Sequence, residues 1–241
     1  MRLDEGFDAR ATRTFERLFG AALLAEIATQ MASGVWRVHA GESYPWRHLG
    51  IIPLAPPSLL ALEWALVALA ASAIVVAPAH LRRLAWRALP PLLLWGVLQR
   101  FSNHGSLFFM VSLFVAMAPP RVDRREAFEA EEHPNLGLVR AQIVVVYGFS
   151  AVAKLLHGFT SGASLVNLLG VAPSLAKAMS WGVIGVELAL AALVMTRPRL
   201  ALAGAVLLHA SFALVLPNVL SFGVCMVSMA ALWWRRAPAE R

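Results

Sequence analysis

Apolar residues run in eight long blocks along the chain, at about 15–32, 58–78, 84–101, 105–118, 139–157, 178–196, 198–216 and 219–234. The breaks between them gather helix-ending residues: "APPS" at 55–58, "APAHLRR" at 77–83, "APPRVDRRE" at 118–126, "TSGAS" at 160–164, "TRPR" at 196–199 and "LPN" at 216–218. Such blocks predict helices of the kind that cross a membrane, for which about 20 apolar residues are needed. Several blocks fall short of that length, so tilting or a shared hairpin is expected for 84–118. Pro90 and Pro91 lie inside the third block, where they remove backbone donors and predict a kink. The residue pattern shows no internal repeat of the kind found in transporters.

Composition turns this pattern into a class. With 59% hydrophobic residues, 15% charged residues and a mean hydropathy of +0.66, the chain has too little polar surface to coat a water-soluble domain, where about 25% charged is usual. The expected fold is all-α, a polytopic transmembrane helix bundle of about eight spans, forming a single transmembrane domain over 1–241 with a cytoplasmic segment at 1–14 and a cytoplasmic tail at 235–241. The opening "MRLDEGFDARATRTFERL" has neither the apolar core nor the cleavage site of a signal peptide, so insertion is expected to rely on the spans themselves. Cys225 is the single cysteine, so no disulfide can form within the chain.

The basic residues orient the bundle. With the N-terminus inside and eight spans, the cytoplasmic side receives Arg2, Arg10, Arg13, Arg17, Arg82, Arg83, Arg87, Arg121, Arg124, Arg125, Arg140, Arg197, Arg199, Arg235, Arg236 and Arg241. Only Arg37, Arg47, Arg100 and Lys177 fall outside, and Lys154 stays within the membrane. Sixteen against four is a strong positive-inside bias and predicts both termini in the cytoplasm. It also accounts for the net charge of +7 without a nucleic-acid partner. The expected location is the inner (cytoplasmic) membrane of a bacterium, with membrane lipids as the surrounding partner.

This topology gathers scattered polar residues at the outer side. "FSNHG" caps a hairpin at 101–105, which brings Asn103 and His104 to the external face; Lys154 lies within a turn of the outer end of its block, and His209 lies past the middle of its own. Tyr147 precedes Lys154 by two helical turns and shares its face, with Gln142 further inward. Each has a plainer reading: Lys154 can snorkel to the headgroups, His104 can bond to nearby backbone, and His209 and Glu187 can hydrogen-bond a neighbouring helix. His157 can cap its helix end. His39, His48, His80 and His133 are placed in loops and assigned nothing, and no metal site is expected.

"NHGSLFFMVSLF" (103–114), "RAQIVVVYGFSAVAKL" (140–155) and "LLHASFALVLPNVLSFGVCMVSMAAL" (207–232), in this order, resemble the membrane part of vitamin K-dependent gamma-carboxylase, in the group called horizontally transferred transmembrane (HTTM) proteins. The resemblance covers about 15–234. It implies Lys154 as a catalytic base that deprotonates a reduced quinone, with His104 and Asn103 stabilising the developing oxyanion. Tyr147, His209, Gln142 and Phe159 would line the quinone site, Phe159 standing where the family has tryptophan. The cofactors so implied are reduced vitamin K or menaquinone, O2 and CO2, the activity a carboxylase or epoxidase, and the further partner an exported peptide or protein. Desolvation among Ala151, Val152, Leu155 and Leu156 would make Lys154 a usable base. The alternative expectation is a non-enzymatic membrane partner in the maturation or export of a secreted peptide.

Overall fold

The structure, a computed structural model, describes residues 9–34, 55–99, 103–117, 134–216 and 219–233. The 101–105 tip lies partly outside these residues, as do most of 1–14, all of 235–241, and His39, His48 and His133. Among the described residues every long element is helical: α1 (Ala9–Ala32), α2 (Pro57–Val76), α3 (Ala79–Gln99), α4 (Asn103–Ala116), α5 (Pro134–Leu156), the short α6 (Ala163–Leu169), α7 (Pro173–Thr196), α8 (Pro198–Val215) and α9 (Leu220–Ala231). All eight apolar blocks are helices, with ends that differ from the sequence reading by up to six residues. α7 starts at Pro173 rather than near 178, because proline at a helix's first position needs no hydrogen-bonded N–H. His80, expected in a loop, lies in the first turn of α3. α3 is continuous through Pro90 and Pro91, with Pro90 buried among the packed helices.

The break at 160–164 holds structure that the sequence reading missed. A 3-10 turn at Phe159–Ser161 and α6 fill the connection between α5 and α7. Gly162 joins them at φ 78°, and a Cβ there would come within 2.6 Å of the Lys177 amide nitrogen. Only glycine meets both demands.

α2, residues 137–156 of α5, α7 and α8 are long and apolar enough to cross a membrane. Only about a third of each apolar window is buried inside the bundle. The outward faces carry Leu69, Phe149, Leu207 and Leu214, all well exposed. Water would penalise that much bare apolar surface, whereas lipid solvates it, and the helices satisfy their own backbone groups. This is an integral membrane protein.

The eight long helices fall into two series of four, α1 to α4 and then α5, α7, α8 and α9. α1 to α4 have 24, 20, 21 and 14 residues; α5, α7, α8 and α9 have 23, 24, 18 and 12. In each half consecutive helices of this series pack together, and the last helix of each half packs on the first helix of the other: α9 on α1, α4 on α5. One detail recurs at atomic level. Arg13 of α1 donates to the carbonyls of Ile74 (2.7 Å) and Val75 (2.5 Å) at the end of α2. Arg140 of α5 likewise donates to Val194 (3.0 and 2.8 Å) and Met195 (2.9 Å) at the end of α7. Each guanidinium satisfies terminal carbonyls that have no partner within their own helix. The first half is further tied by Phe15, Phe19, Trp86 and Phe108, whose rings join α1, α3 and α4 at centroid distances of 5.0 to 5.9 Å.

Candidate functional site: a polar cluster in the second half

α5 presents Val139, Arg140, Ile143, Tyr147 and Ala151 to the bundle, a stripe at helical spacing that continues to Lys154. α7 answers with Ala176, Ser180, Ile184, Glu187, Leu190 and Val194. Where these stripes meet, the Lys154 ammonium donates to both Glu187 carboxylate oxygens, at 2.8 and 2.9 Å, and to Ser150 Oγ at 2.5 Å. Ser150 in turn donates to Glu187 at 2.9 Å. Glu187 is the more enclosed partner, its side chain 5% exposed against 23% for Lys154. It sits near the middle of α7 (Pro173–Thr196), so the lysine reaches along the bundle to a buried carboxylate. The plain expectation for Glu187, a partner on a neighbouring helix, is met by Lys154. The Phe159 ring centroid lies 5.8 Å from the ammonium.

One turn inward from Ser150, the Tyr147 hydroxyl and His209 Nε2 are 2.9 Å apart, linking α5 to α8. The His209 ring fits against α9 because Gly223 lies there; a Cβ on Gly223 would stand 2.9 Å from the His209 Cβ. Small residues at such crossings are how membrane helices approach closely. Gln142 is half-buried, five residues before Tyr147 on α5.

His104 belongs to a second group. Its Nδ1 is 3.5 Å from Glu26 of α1, and its ring stacks on Phe222 at 5.1 Å. Glu26 also accepts from Gln30 at 2.5 Å and from the Ser221 hydroxyl. Lys154 and His104, expected to gather at one side of the bundle, therefore have different carboxylate partners. Phe222 stands between the groups, meeting His104 on one side and His209 edge-on at 5.8 Å on the other. Asn103 opens α4.

The sequence reading passed over Glu26, Ser150 and Phe222. The signal for Glu26 was an ionisable residue in the apolar stretch "AALLAEIATQM", costly in lipid unless partnered. Ser150 and Phe222 had none, since serine and phenylalanine are ordinary in membrane helices.

The chain matches no curated protein and no solved structure. A family model does match, over residues 133–225, and its description is Methylamine utilisation protein MauE. This overturns the likeness to gamma-carboxylase and the HTTM group, with the carboxylase and epoxidase function drawn from it. The match takes in the whole of the 140–155 block and the 207–232 block as far as 225. A tyrosine seven residues before a lysine is the spacing of any helix face turned to a bundle interior, as the buried stripe of α5 shows. That spacing carries no family information by itself. The reduced quinone, O2, CO2 and exported peptide rested on that likeness alone. Beginning one residue before α5, the matched stretch holds Tyr147, Ser150, Lys154, Glu187 and His209, and it is to the family of the methylamine utilisation protein MauE that this part of the chain is similar.

Proposed function

We propose that the chain is a membrane component of methylamine utilisation, spanning the cytoplasmic membrane eight times with both termini inside, and that the Lys154–Glu187 cluster is its working site. The observation that carries this reading is the family match, which contains every residue of that cluster. The orientation is supported by the positive-inside bias, in which Arg13 and Arg140 count on the cytoplasmic side.

At the site, an ammonium and a carboxylate are held together with a bridging hydroxyl in the middle of a lipid-embedded bundle. The pair has no net charge, so it sits in a low dielectric at tolerable cost, and an approaching polar group can exchange with either partner. The reading assigns the cluster a binding and conformational role, coupled to α8 through Tyr147 and His209.

The test is deletion of the gene in its native host, with growth compared on methylamine and on ammonium as sole nitrogen source. Growth on methylamine alone is expected to fail, to return with the wild-type gene, and to remain impaired with Lys154→Ala. A deletion strain that grows normally on methylamine refutes the role. Orientation is read with an impermeant thiol reagent in a Cys225→Ser background: Asn167→Cys on α6 labels from outside, and His80→Cys does not. The reverse pattern refutes the topology.

A further inference from the structure

Between the last turn of α5, which carries Lys154, and the start of α6 the chain makes one compact turn, Phe159–Ser161. Two glycines in the left-handed region bracket it, Gly158 at φ 76° and Gly162 at φ 78°. The turn is bonded to itself: the Ser161 N–H and hydroxyl both donate to the Gly158 carbonyl, at 3.1 and 2.8 Å, and the Gly162 N–H donates to the Phe159 carbonyl at 3.1 Å. It packs on both α5 and α7, the helices that carry Lys154 and Glu187. None of its three residues is buried.

The two glycines differ in their surroundings. At Gly162 a Cβ would run into the backbone of α7, 2.6 Å from the Lys177 nitrogen and 2.8 Å from the Ala176 carbonyl carbon, so this end is wedged in place. At Gly158 a Cβ would meet nothing within 4 Å. Glycine is needed there for its backbone angle alone, since an L side chain at that φ is strained. A self-bonded turn, fixed at one end and joined at the other through an uncrowded glycine, has the construction of a hinged flap.

What the flap carries is the Phe159 ring. The Lys154 ammonium lies over this ring, 5.8 Å from its centroid, near the outer limit of a cation–π contact, and the side chain is only half-buried. Such contacts are weak at partly exposed sites, so the ring can leave without breaking the core. The ion pair beneath it is unequal: Glu187 is 5% exposed and Lys154 23%. An incoming polar group therefore meets the ammonium before the carboxylate. We propose that the Phe159 turn is a lid on the Lys154–Glu187 cluster. With the ring seated on the ammonium, the lysine is held on Glu187; with the turn swung about Gly158, the ammonium is open to a polar group entering the bundle. The inference rests on the reading of this cluster as the working site and names how access to it is controlled.

Lys154 and Lys177 are the only lysines in the chain, and Lys177, exposed in the first turns of α7, serves as an internal reference. The experiment is acetylation of the full chain in lipid nanodiscs at neutral pH by a water-soluble succinimidyl acetate, with both lysines followed over time by mass spectrometry. An open state populated at about a tenth or less makes Lys154 slower than Lys177 by about tenfold or more. Phe159→Ala removes the ring and should raise the Lys154 rate by about fivefold or more, with the Lys177 rate unchanged, in protein whose elution profile and thermal unfolding match the wild type. Gly158→Ala keeps the ring and disfavours the seated backbone angle, so it should raise the Lys154 rate in the same direction. Both variants retain Glu187, so any slowing by the ion pair is common to all three proteins. The lid is overturned if Lys154 reacts as fast as Lys177 in the wild type, or if Phe159→Ala leaves its rate unchanged. A rise in Phe159→Ala without one in Gly158→Ala also overturns it, leaving the ring a fixed shield. Failure here is distinct from failure of the proposed function. An unchanged Lys154 rate together with a deletion strain that cannot grow on methylamine removes the lid and keeps the membrane role; faster labelling in both variants together with normal growth of the deletion strain does the reverse.

Discussion

Replacing Glu187 by glutamine leaves the Lys154 ammonium facing a neutral amide and the Ser150 hydroxyl, with 23% of its side chain exposed to any other source of solvation. Removing one partner of a buried ion pair costs about 3–5 kcal/mol. The residual exposure of Lys154 places this case at the low end, about 3 kcal/mol. For a chain of this size about 2–4 °C of melting temperature accompanies each kcal/mol, so Glu187→Gln should lower it by about 6–12 °C. Lys154→Met leaves the carboxylate unpaired instead, and the same magnitude is expected. The double variant Lys154→Met/Glu187→Gln removes both charges together, so neither partner is left as an uncompensated buried charge. Its loss should therefore fall short of the sum of the single losses by about 3 kcal/mol or more. Thermal unfolding of the four proteins in the same nanodisc preparation measures the cycle. Single losses below about 1 kcal/mol, or a double variant additive within about 0.5 kcal/mol, would show that the pair does not join α5 to α7 energetically.

Three further outcomes are expected from the same measurement. Arg140→Met removes the donors to the Val194 and Met195 carbonyls and the cation lying 4.8 Å over the Trp233 ring, and should cost about 1.5–3 kcal/mol for each charge-assisted hydrogen bond lost. Gly223→Ala sets a Cβ 2.9 Å from the His209 Cβ, on a side-chain stem that cannot swing away, and should cost about 1–3 kcal/mol as overpacking. Tyr147→Phe deletes only the hydrogen bond to His209 and should cost about 0.6 kcal/mol, a typical value for one such bond between membrane helices. If Tyr147→Phe proves as damaging as Gly223→Ala, the hydroxyl has a larger part than joining two helices.

The amino-acid sequence by itself determined the class and the helices. Apolar blocks of this length, broken by Pro, Gly and charged residues, satisfy their backbone in lipid as helices, so α1 to α5 and α7 to α9 were legible, with starts displaced by up to six residues. It also marked Lys154, Tyr147, His209 and Glu187 as residues that apolar surroundings would not tolerate unpartnered. Which group met which was a matter for the tertiary structure. Lys154 and Glu187 are 33 residues apart, Tyr147 and His209 are 62, and no spacing rule connects helices whose lateral order is set by side-chain fit across the bundle. For the same reason His104 went to Glu26 rather than toward Lys154, because α9 seats Ser221 and Phe222 between the two halves. The contacts of Arg13 and Arg140 were decided at this level too, since both bond backbone carbonyls, and a carbonyl is the same acceptor whatever residue carries it.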